Sequence, residues 1–348
     1  MKNQTDGVVD LRSDTLTLPT SAMRRAMAKA PVGDDVWGED PTIRQLEART
    51  AELLGKPAAL YVPSGTMANQ IAIRTHTRPG DEVIVEANAH IYYYEAGGPA
   101  VLSGVQCRCI EGRRGIFGPD DLREVLRPAN IHFPTTRLVC LEHTHNRGGG
   151  SLWPLPTLRA VAATARQHDL KLHLDGARLW NASVATGIPE KEYARHVDSL
   201  SVCFSKGLGA PVGSALAGPV EFIERARRWR KVFGGGMRQA GIIAAGALYA
   251  VEHHRERLAR DHAHAQMLAA ALAELPGVEL DVKSVETNMV VFQTVSQPAA
   301  DLVQKMDALG IRMLAVGPKS IRLVTHLMIS RADIRRAIAA FRQVCAKS

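Results

Sequence analysis

Apolar residues recur along this chain in two alternating patterns. Short apolar runs at 59–62, 82–86, 138–142, 171–174, 199–204 and 213–217 predict strands, and 105–110 alternates as a further one. Between them, apolar positions at helical spacing predict helices over 42–54, 67–76, 119–126, 156–167 and 222–229. Punctuation agrees: Pro19 and Thr20 open a first helix through Met23 and Met27, and Gly55 stops the second. Such alternation predicts an α/β fold with a mostly parallel sheet covered on both faces. A long helical zone, 242–272, is interrupted around its His and Arg pairs. Its His253, His254, His262 and His264 are expected on solvated faces. Beyond Pro276, short strands at 289–292, 311–316 and 321–324 alternate with helices at 299–309 and 330–345, which predicts a small α+β domain. The expected division is an N-terminal segment 1–20, a large domain 21–245 and a small C-terminal domain 246–348.

The chain has 348 residues, 46% hydrophobic and 22% charged, enough for a large core and about two domains. No apolar run is long enough to span a membrane, and the first residues lack a signal-peptide pattern. The five cysteines have no framework spacing, so reduced thiols and a cytoplasmic location are expected. The net charge of +8 invites nucleic acid, membranes or small anions as partners. The longest basic cluster, 225–231, has no RNA-binding signature beside it. It reads as a solvated helix face or as a positive field around an anionic cofactor, and neither nucleic acid nor membrane is an expected partner.

In doubly covered sheets, ligands bind beyond the carboxyl ends of the strands. Ser64-Gly65-Thr66, His145, Asp175, Arg178 and Lys206 all fall at such ends, and His90 follows one by a few residues. Ser64-Gly65-Thr66 opens a helix, where free N–H groups and the helix dipole suit an anion. A lysine at the mouth of a buried strand is costly to desolvate without a task. For Lys206, a Schiff base with pyridoxal phosphate is such a task, with an acid for the ring nitrogen and an anion site for the phosphate. Taken alone, Lys206 reads more simply as a lysine snorkelling from a strand end. Its company at the other strand ends reverses that reading. Asp175 alone could be a helix cap. His143 and His145 are expected to face one way, but no third ligand is near, and no metal is expected. Gly234-Gly235-Gly236, with Arg238, reads as a second anion site opening a helix. Tyr92, Tyr93 and Tyr94 suit a cofactor wall or a packing cluster equally.

Nine segments in order carry a family resemblance: DLRSDT (10–15), PVGDDVWGEDP (31–41), SGTMAN (64–69), HIYYYEAGG (90–98), HTHN (143–146), HLDGAR (173–178), SKGLGAPVGS (205–214), GGGMRQAG (234–241) and IRLVTH (321–326). Over nearly its whole length the chain resembles the low-specificity L-threonine aldolases. These are pyridoxal-phosphate enzymes of the aspartate aminotransferase fold, fold type I, and the resemblance implies a seven-stranded, mostly parallel sheet. It implies Lys206 as the Schiff-base lysine, Asp175 as the partner of the ring nitrogen and His90 stacked on the ring. Ser64, Gly65 and Thr66, with Ser205, would hold the phosphate. Ser13, Arg178 and Arg322 would grip the substrate carboxylate. His145 would stand near the β-hydroxyl, and His145 or its water is preferred to His90 as base. Lys231 and Arg238 would approach the phosphate of a neighbouring subunit, in a dimer or a dimer of dimers. His143 departs from the asparagine common in the family. The implied reaction is retro-aldol cleavage of L-threonine, L-allo-threonine or related amino acids to glycine and an aldehyde. The alternatives are β-elimination or transamination on the same fold, and a nucleic-acid- or anion-binding protein built on it.

Overall fold

A computed structural model describes residues 7–345. Residues 1–6 and 346–348, including the start of the stretch read for a signal peptide, lie outside the described residues. The chain enters through a two-residue strand, β1 (Val9–Asp10). The main sheet then takes seven strands: β2 (Ala58–Val62), β3 (Glu82–Glu86), β4 (Gln106–Ile110), β5 (Thr136–Glu142), β6 (Lys171–Gly176), β7 (Ser199–Cys203) and β8 (Ser214–Gly218). Their order is β2-β8-β7-β6-β5-β3-β4. Every pairing is parallel except those of β8, which runs antiparallel to both β2 and β7. Strands β3, β7 and β8 are buried along their whole length, as strands covered on both faces are, with their few polar residues buried too. The winding reverses between β3 and β5, and a crevice opens there beyond the strand ends.

Helix starts obey the punctuation in the sequence. Asp40 accepts from the N–H groups of Thr42 and Ile43 ahead of the helix Pro41–Leu54, which Gly55 ends at φ 59°. Ser64 accepts from Met67 N and caps the helix Gly65–His76. A Cβ on Gly65 would lie 2.9 Å from Cys203 Sγ, so glycine lets this helix start close against β7.

Two cores form. The first joins the main sheet to its helices through Ile84, Val139, Leu174, Val202, Trp153 and Trp180. The second lies under β9 (Val278–Glu279), β10 (Met289–Thr294), β11 (Ile311–Arg312), β12 (Leu314–Ala315) and β13 (Ser320–Val324). Val9 and Leu11 belong to this second core, and β1 pairs in parallel with β11, so the N-terminal segment is built into the small unit. The expected division at 245/246 falls inside the helix Gly241–His253, whose Ala244, Ala247 and Ala250 sit in the first core. The crossing comes in the next helix, Leu258–Leu272, where Leu258 packs in the first core and Leu268 in the second.

Three local expectations are corrected. His254 is buried, with Nδ1 2.8 Å from the Leu208 carbonyl, and His262 bonds Asn181, so these two are packing residues and not solvated ones. The glycine triplet opens no helix. It lies in the bend before Gly241–His253, and Gly235 abuts Met67 so closely that a Cβ would stand 2.3 Å from its sulfur. Within the basic cluster, Arg230 is not solvated: it is buried, pairs with Asp35 at 2.7 Å and donates to the Tyr61 carbonyl.

Candidate active site

Strand ends from the main sheet, the N-terminal segment and the small unit enclose a cleft of about 250 Å³. Lys206 and His90 reach it from the main sheet, Ser13 and Thr15 from the entry segment, and Leu314 and Arg322 from β12 and β13. Tyr94, Asn146 and Arg178 complete the lining.

Asp175 lies at the end of β6, buried and held by hydrogen bonds. Its Oδ1 accepts from Ala177 N at 3.0 Å and its Oδ2 from Asn69 Nδ2 at 2.8 Å. Burial alone would raise its pKa, but His90, Lys206 and the Asn69 bond outweigh it and keep the carboxyl below its ordinary range. The same Asn69 nitrogen donates to Glu95 Oε1 at 2.8 Å, and Glu95 meets His90 Nδ1 at 2.9 Å. His90 N donates to Glu142 Oε2 at 2.6 Å. Burial opposes a protonated His90 ring, yet the Glu95 bond and the charge of Asp175 raise its pKa above the usual value. Ligating atoms of His90, Glu95 and Asp175 lie within 4.8 Å of one another, as a metal set might, but the three are already tied together through Asn69.

The two arginines of the cleft differ. Arg178 donates from Nε and Nη2 to the two oxygens of buried Asp14, at 2.8 and 2.7 Å. Arg322 instead donates to Asn146 Oδ1 at 2.7 Å and to the Arg12 carbonyl at 3.2 Å, both uncharged acceptors. Burial and the charge of Arg178 press its pKa down. A cation so placed favours an arriving carboxylate, which Arg178 already has. Ser13 Oγ accepts from Thr15 N and Thr15 Oγ1 at the cleft edge.

His145 does not reach the cleft. Its side chain is 1% exposed, Nδ1 accepts from Gly148 N at 3.0 Å, and Nε2 lies 3.0 Å from Glu86 Oε2. Burial would lower its pKa, but Glu142 and Glu86 raise it. Its ring fills the space above Gly115, where a Cβ would come within 2.1 Å. The neighbouring Asn146 lines the cleft instead. His143 and His145 have no partner in common among the described residues, and both lie past the end of β5 at Glu142. His143 is fully buried, accepts from Trp153 N and packs 4.8 Å from the Tyr193 ring. Burial pushes its pKa down to about 3, so it stays neutral.

Ser64 and Thr66 line a separate open cavity of about 630 Å³, with Met67, Val101, Leu102 and Val232 among its walls. Ser205 is half-buried beside Lys206. Lys231 and Arg238 are exposed, and Arg238 Nη1 donates to Asp34 Oδ2 at 2.8 Å. Neither lines the cleft that holds Lys206.

Sequence reasoning assigned no role to Asn69, Glu95, Asp14 or Asn146. Each had a signal. Asn69 is polar on an apolar helix face beside Ala68, Ile71 and Ala72. Asp14 and Asn146 directly follow residues already singled out, and Glu95 lies one short helix beyond His90.

A doubly covered, mostly parallel sheet with a small α+β unit, and a lysine and an ionised carboxylate at adjacent strand ends, define a fold type I pyridoxal-phosphate enzyme. Residues 10–295 match the model of the beta-eliminating lyases. The chain is 43% identical to the low specificity L-threonine aldolase of Escherichia coli, over 98% of this chain and 100% of that one. It is 42% identical to low-specificity L-threonine aldolase 1 of Arabidopsis thaliana, over 96% of each. The solved threonine aldolase of Leishmania major superposes with a TM-score of 0.84 at 21% identity, over 97% of this chain and 99% of that one, and shares the fold. The chain belongs to the beta-eliminating lyase family, among the low-specificity L-threonine aldolases.

Proposed function

We propose that this enzyme cleaves L-threonine, L-allo-threonine and related L-3-hydroxy-α-amino acids to glycine and an aldehyde. One observation carries the reading: a lysine, a histidine and an arginine that has no carboxylate partner among the described residues line one cleft, and an ionised aspartate stands near the histidine. The donor set suits pyridoxal phosphate. Lys206 would bind it covalently, Asp175 would keep its ring nitrogen protonated, and His90 would lie against the ring. The start of the helix Gly65–His76, with Ser64, Thr66 and Ser205, would face the phosphate. Bound there, the cofactor supplies an electron sink conjugated to the substrate Cα.

The protein groups do the rest. Arg322 takes the substrate carboxylate, with Ser13 beside it and Arg178 held in reserve by Asp14. Arg322 thereby fixes which bond at Cα can break. His90 is the base for the β-hydroxyl, directly or through a water. Glu95 occupies Nδ1, which leaves Nε2 for the proton. The Cα–Cβ bond then breaks, the aldehyde leaves, and a proton is returned to Cα. His145 acts from behind, through the Glu86 and Glu142 cluster.

Lys231 and Arg238 would serve a neighbouring subunit's phosphate in a homo-oligomer. Support comes from their exposure, and from Val101 and Val232, 79% and 61% exposed, at the cavity beside Ser64 and Thr66. The cytoplasmic reading rests on the cysteine usage. Among the described residues, no helix is long and apolar enough to cross a membrane.

The test is the purified protein with added pyridoxal phosphate. A visible absorption band and acetaldehyde from L-threonine or L-allo-threonine are expected. Ammonia and a keto acid in place of glycine and aldehyde would overturn the aldolase reading in favour of β-elimination.

A further inference from the structure

A polar seam runs between the helix Gly65–His76 and the sheet. Asn69 and His76 are two helical turns apart and so share one face of that helix. His173 and Asp175 alternate onto one face of β6, and Ser199 and Ser201 stand opposite them on β7. Asn69, His173, Asp175, Ser199 and Ser201 are all buried, where apolar side chains would pack without a desolvation cost. The steps proposed above use neither His76 nor His173.

The hydrogen bonds of this seam form one chain with a fixed direction. Asn69 Nδ2 meets Asp175 Oδ2 and Glu95 Oε1, each at 2.8 Å. Carboxylate oxygens accept, so the amide has one orientation, with Oδ1 turned to Ser201 Oγ at 3.0 Å and to His173 Nε2 at 3.2 Å. An amide oxygen also accepts, so His173 carries its proton on Nε2. Burial lowers the pKa of this ring to about 4, so it is neutral and Nδ1 is bare. Ser199 Oγ, 2.9 Å from Nδ1, therefore donates to it. That uses the one proton of the hydroxyl, so His76 Nε2, 2.8 Å from the same oxygen, donates in turn. His76 is half-buried at the end of its helix, stacked 4.5 Å from the Phe222 ring. Every donor from His76 through Ser199, His173 and Asn69 thus points toward Asp175. Hydrogen bonds aligned in one sense polarise one another, and their positive ends favour negative charge at the carboxylate.

We propose that His173 is a positioning residue for the electron sink: backed by Ser199 and His76, it locks the Asn69 amide and keeps Asp175 anionic for the cofactor's ring nitrogen. The proposal rests on the place given to Asp175 above and adds what holds its charge.

Neutron diffraction from crystals of the holoenzyme locates these protons directly. Hydrogens are expected on Nε2 of His76 and of His173, and on Ser199 Oγ facing His173 Nδ1. A proton on His173 Nδ1 in place of Nε2 would overturn the proposal. Two variants test the consequence. His173→Gln places an amide N–H at the reach of Nε2, whereas His173→Asn reaches only as far as Nδ1 and leaves Asn69 without this donor. The holoenzyme is loaded with pyridoxal phosphate isotopically labelled at the ring nitrogen, and its NMR signal is read. His173→Asn should move that signal toward the unprotonated form and lower kcat about five- to tenfold, the scale of one hydrogen bond, with KM within about twofold. His173→Gln should restore the wild-type signal and most of kcat. A histidine that serves packing alone would leave the ring nitrogen unmoved in both variants, and that result would also overturn the proposal. A wild-type ring nitrogen without a proton would remove Asp175 from its place at the ring, and the proposal with it. A wild type that releases no aldehyde would overturn the aldolase reading and not this one, since the proton map and the ring signal require no turnover.

Discussion

Asp14 takes two hydrogen bonds from Arg178, at 2.8 and 2.7 Å, with both side chains buried. Burial would raise the Asp14 pKa, but Arg178 overcomes it and holds the carboxyl far below the ordinary range. Two arginines of one cleft thus have different work. Arg322→Gln should lower kcat/KM for the amino acid roughly tenfold to a hundredfold, the worth of a charge-assisted hydrogen bond, with little change in stability. Arg178→Gln should cost about 3 to 5 kcal/mol of stability, because it leaves Asp14 buried and unpaired. Steady-state kinetics and denaturant unfolding of both variants check the split. Equal stability losses in the two would contradict it.

Asn69 joins the two carboxylates of the site from a single nitrogen. Asn69→Ala should lower turnover about tenfold or more, since both Asp175 and Glu95 lose a donor. The variant should also move the pH profile, because His90 takes its raised pKa in part from those two carboxylates. Asp175→Asn should fold and lose most turnover, as an amide cannot hold the ring-nitrogen proton by charge. Wild-type turnover in Asp175→Asn would remove Asp175 from this role.

Much of this was legible in the sequence where chemistry and local pattern coincide. The strand runs, the helix opened by Ser64-Gly65-Thr66, the stop at Gly55 and the placement of Lys206 and Asp175 at strand ends follow from periodicity and punctuation. The place of His145 near the β-hydroxyl was implied by the resemblance alone, and no local pattern shows that its ring turns to Glu86 while Asn146 lines the cleft. The pairing of Asp14 with Arg178 spans 164 residues, and that of Arg322 with Asn146 spans 176. Proximity to Ser13 and His145 marks Asp14 and Asn146 as worth noting, but nothing local says which arginine each will meet. The entry segment looked separate because β1 is two residues long and its partner β11 lies some three hundred residues on.

Buried neutral histidines should set the acid limit of stability. Burial lowers the pKa of His76 and His143 to about 3 and of His173 to about 4, against 6.5 in the unfolded chain. Below pH 6.5 the unfolded chain binds protons that the folded one refuses, so stability falls as pH falls toward 4. Each such histidine contributes a slope of up to about 1.4 kcal/mol per pH unit. His90 and His145, with raised values, have the opposite sign: their contribution is full below 6.5 and is lost as pH rises through the folded pKa. They add no slope in the acid window. Guanidinium unfolding between pH 6.5 and 4 should therefore show stability falling with pH on account of these histidines, and His143→Asn should remove about one proton from the uptake on unfolding. An unchanged slope in that variant would mean that His143 is protonated in the fold.

A shared active site is the last expectation. Arg238 is exposed and tied to Asp34 in one chain, while the helix start at Gly65 has its own apolar, exposed surroundings. If a second copy covers that surface, Arg238 can bring its charge to the neighbour's phosphate. Arg238→Ala should then weaken retention of pyridoxal phosphate more than it slows the chemistry. Mixed subunits separate the two geometries. In a purified hetero-dimer of an Arg238→Ala protomer and a Lys206→Ala protomer, action across the interface puts both lesions in one site and none in the other. About half the wild-type activity should return in that case, whereas action within one chain damages every site. Activity near zero in the verified hetero-dimer, or full activity in a monomer, would rule out the shared arrangement.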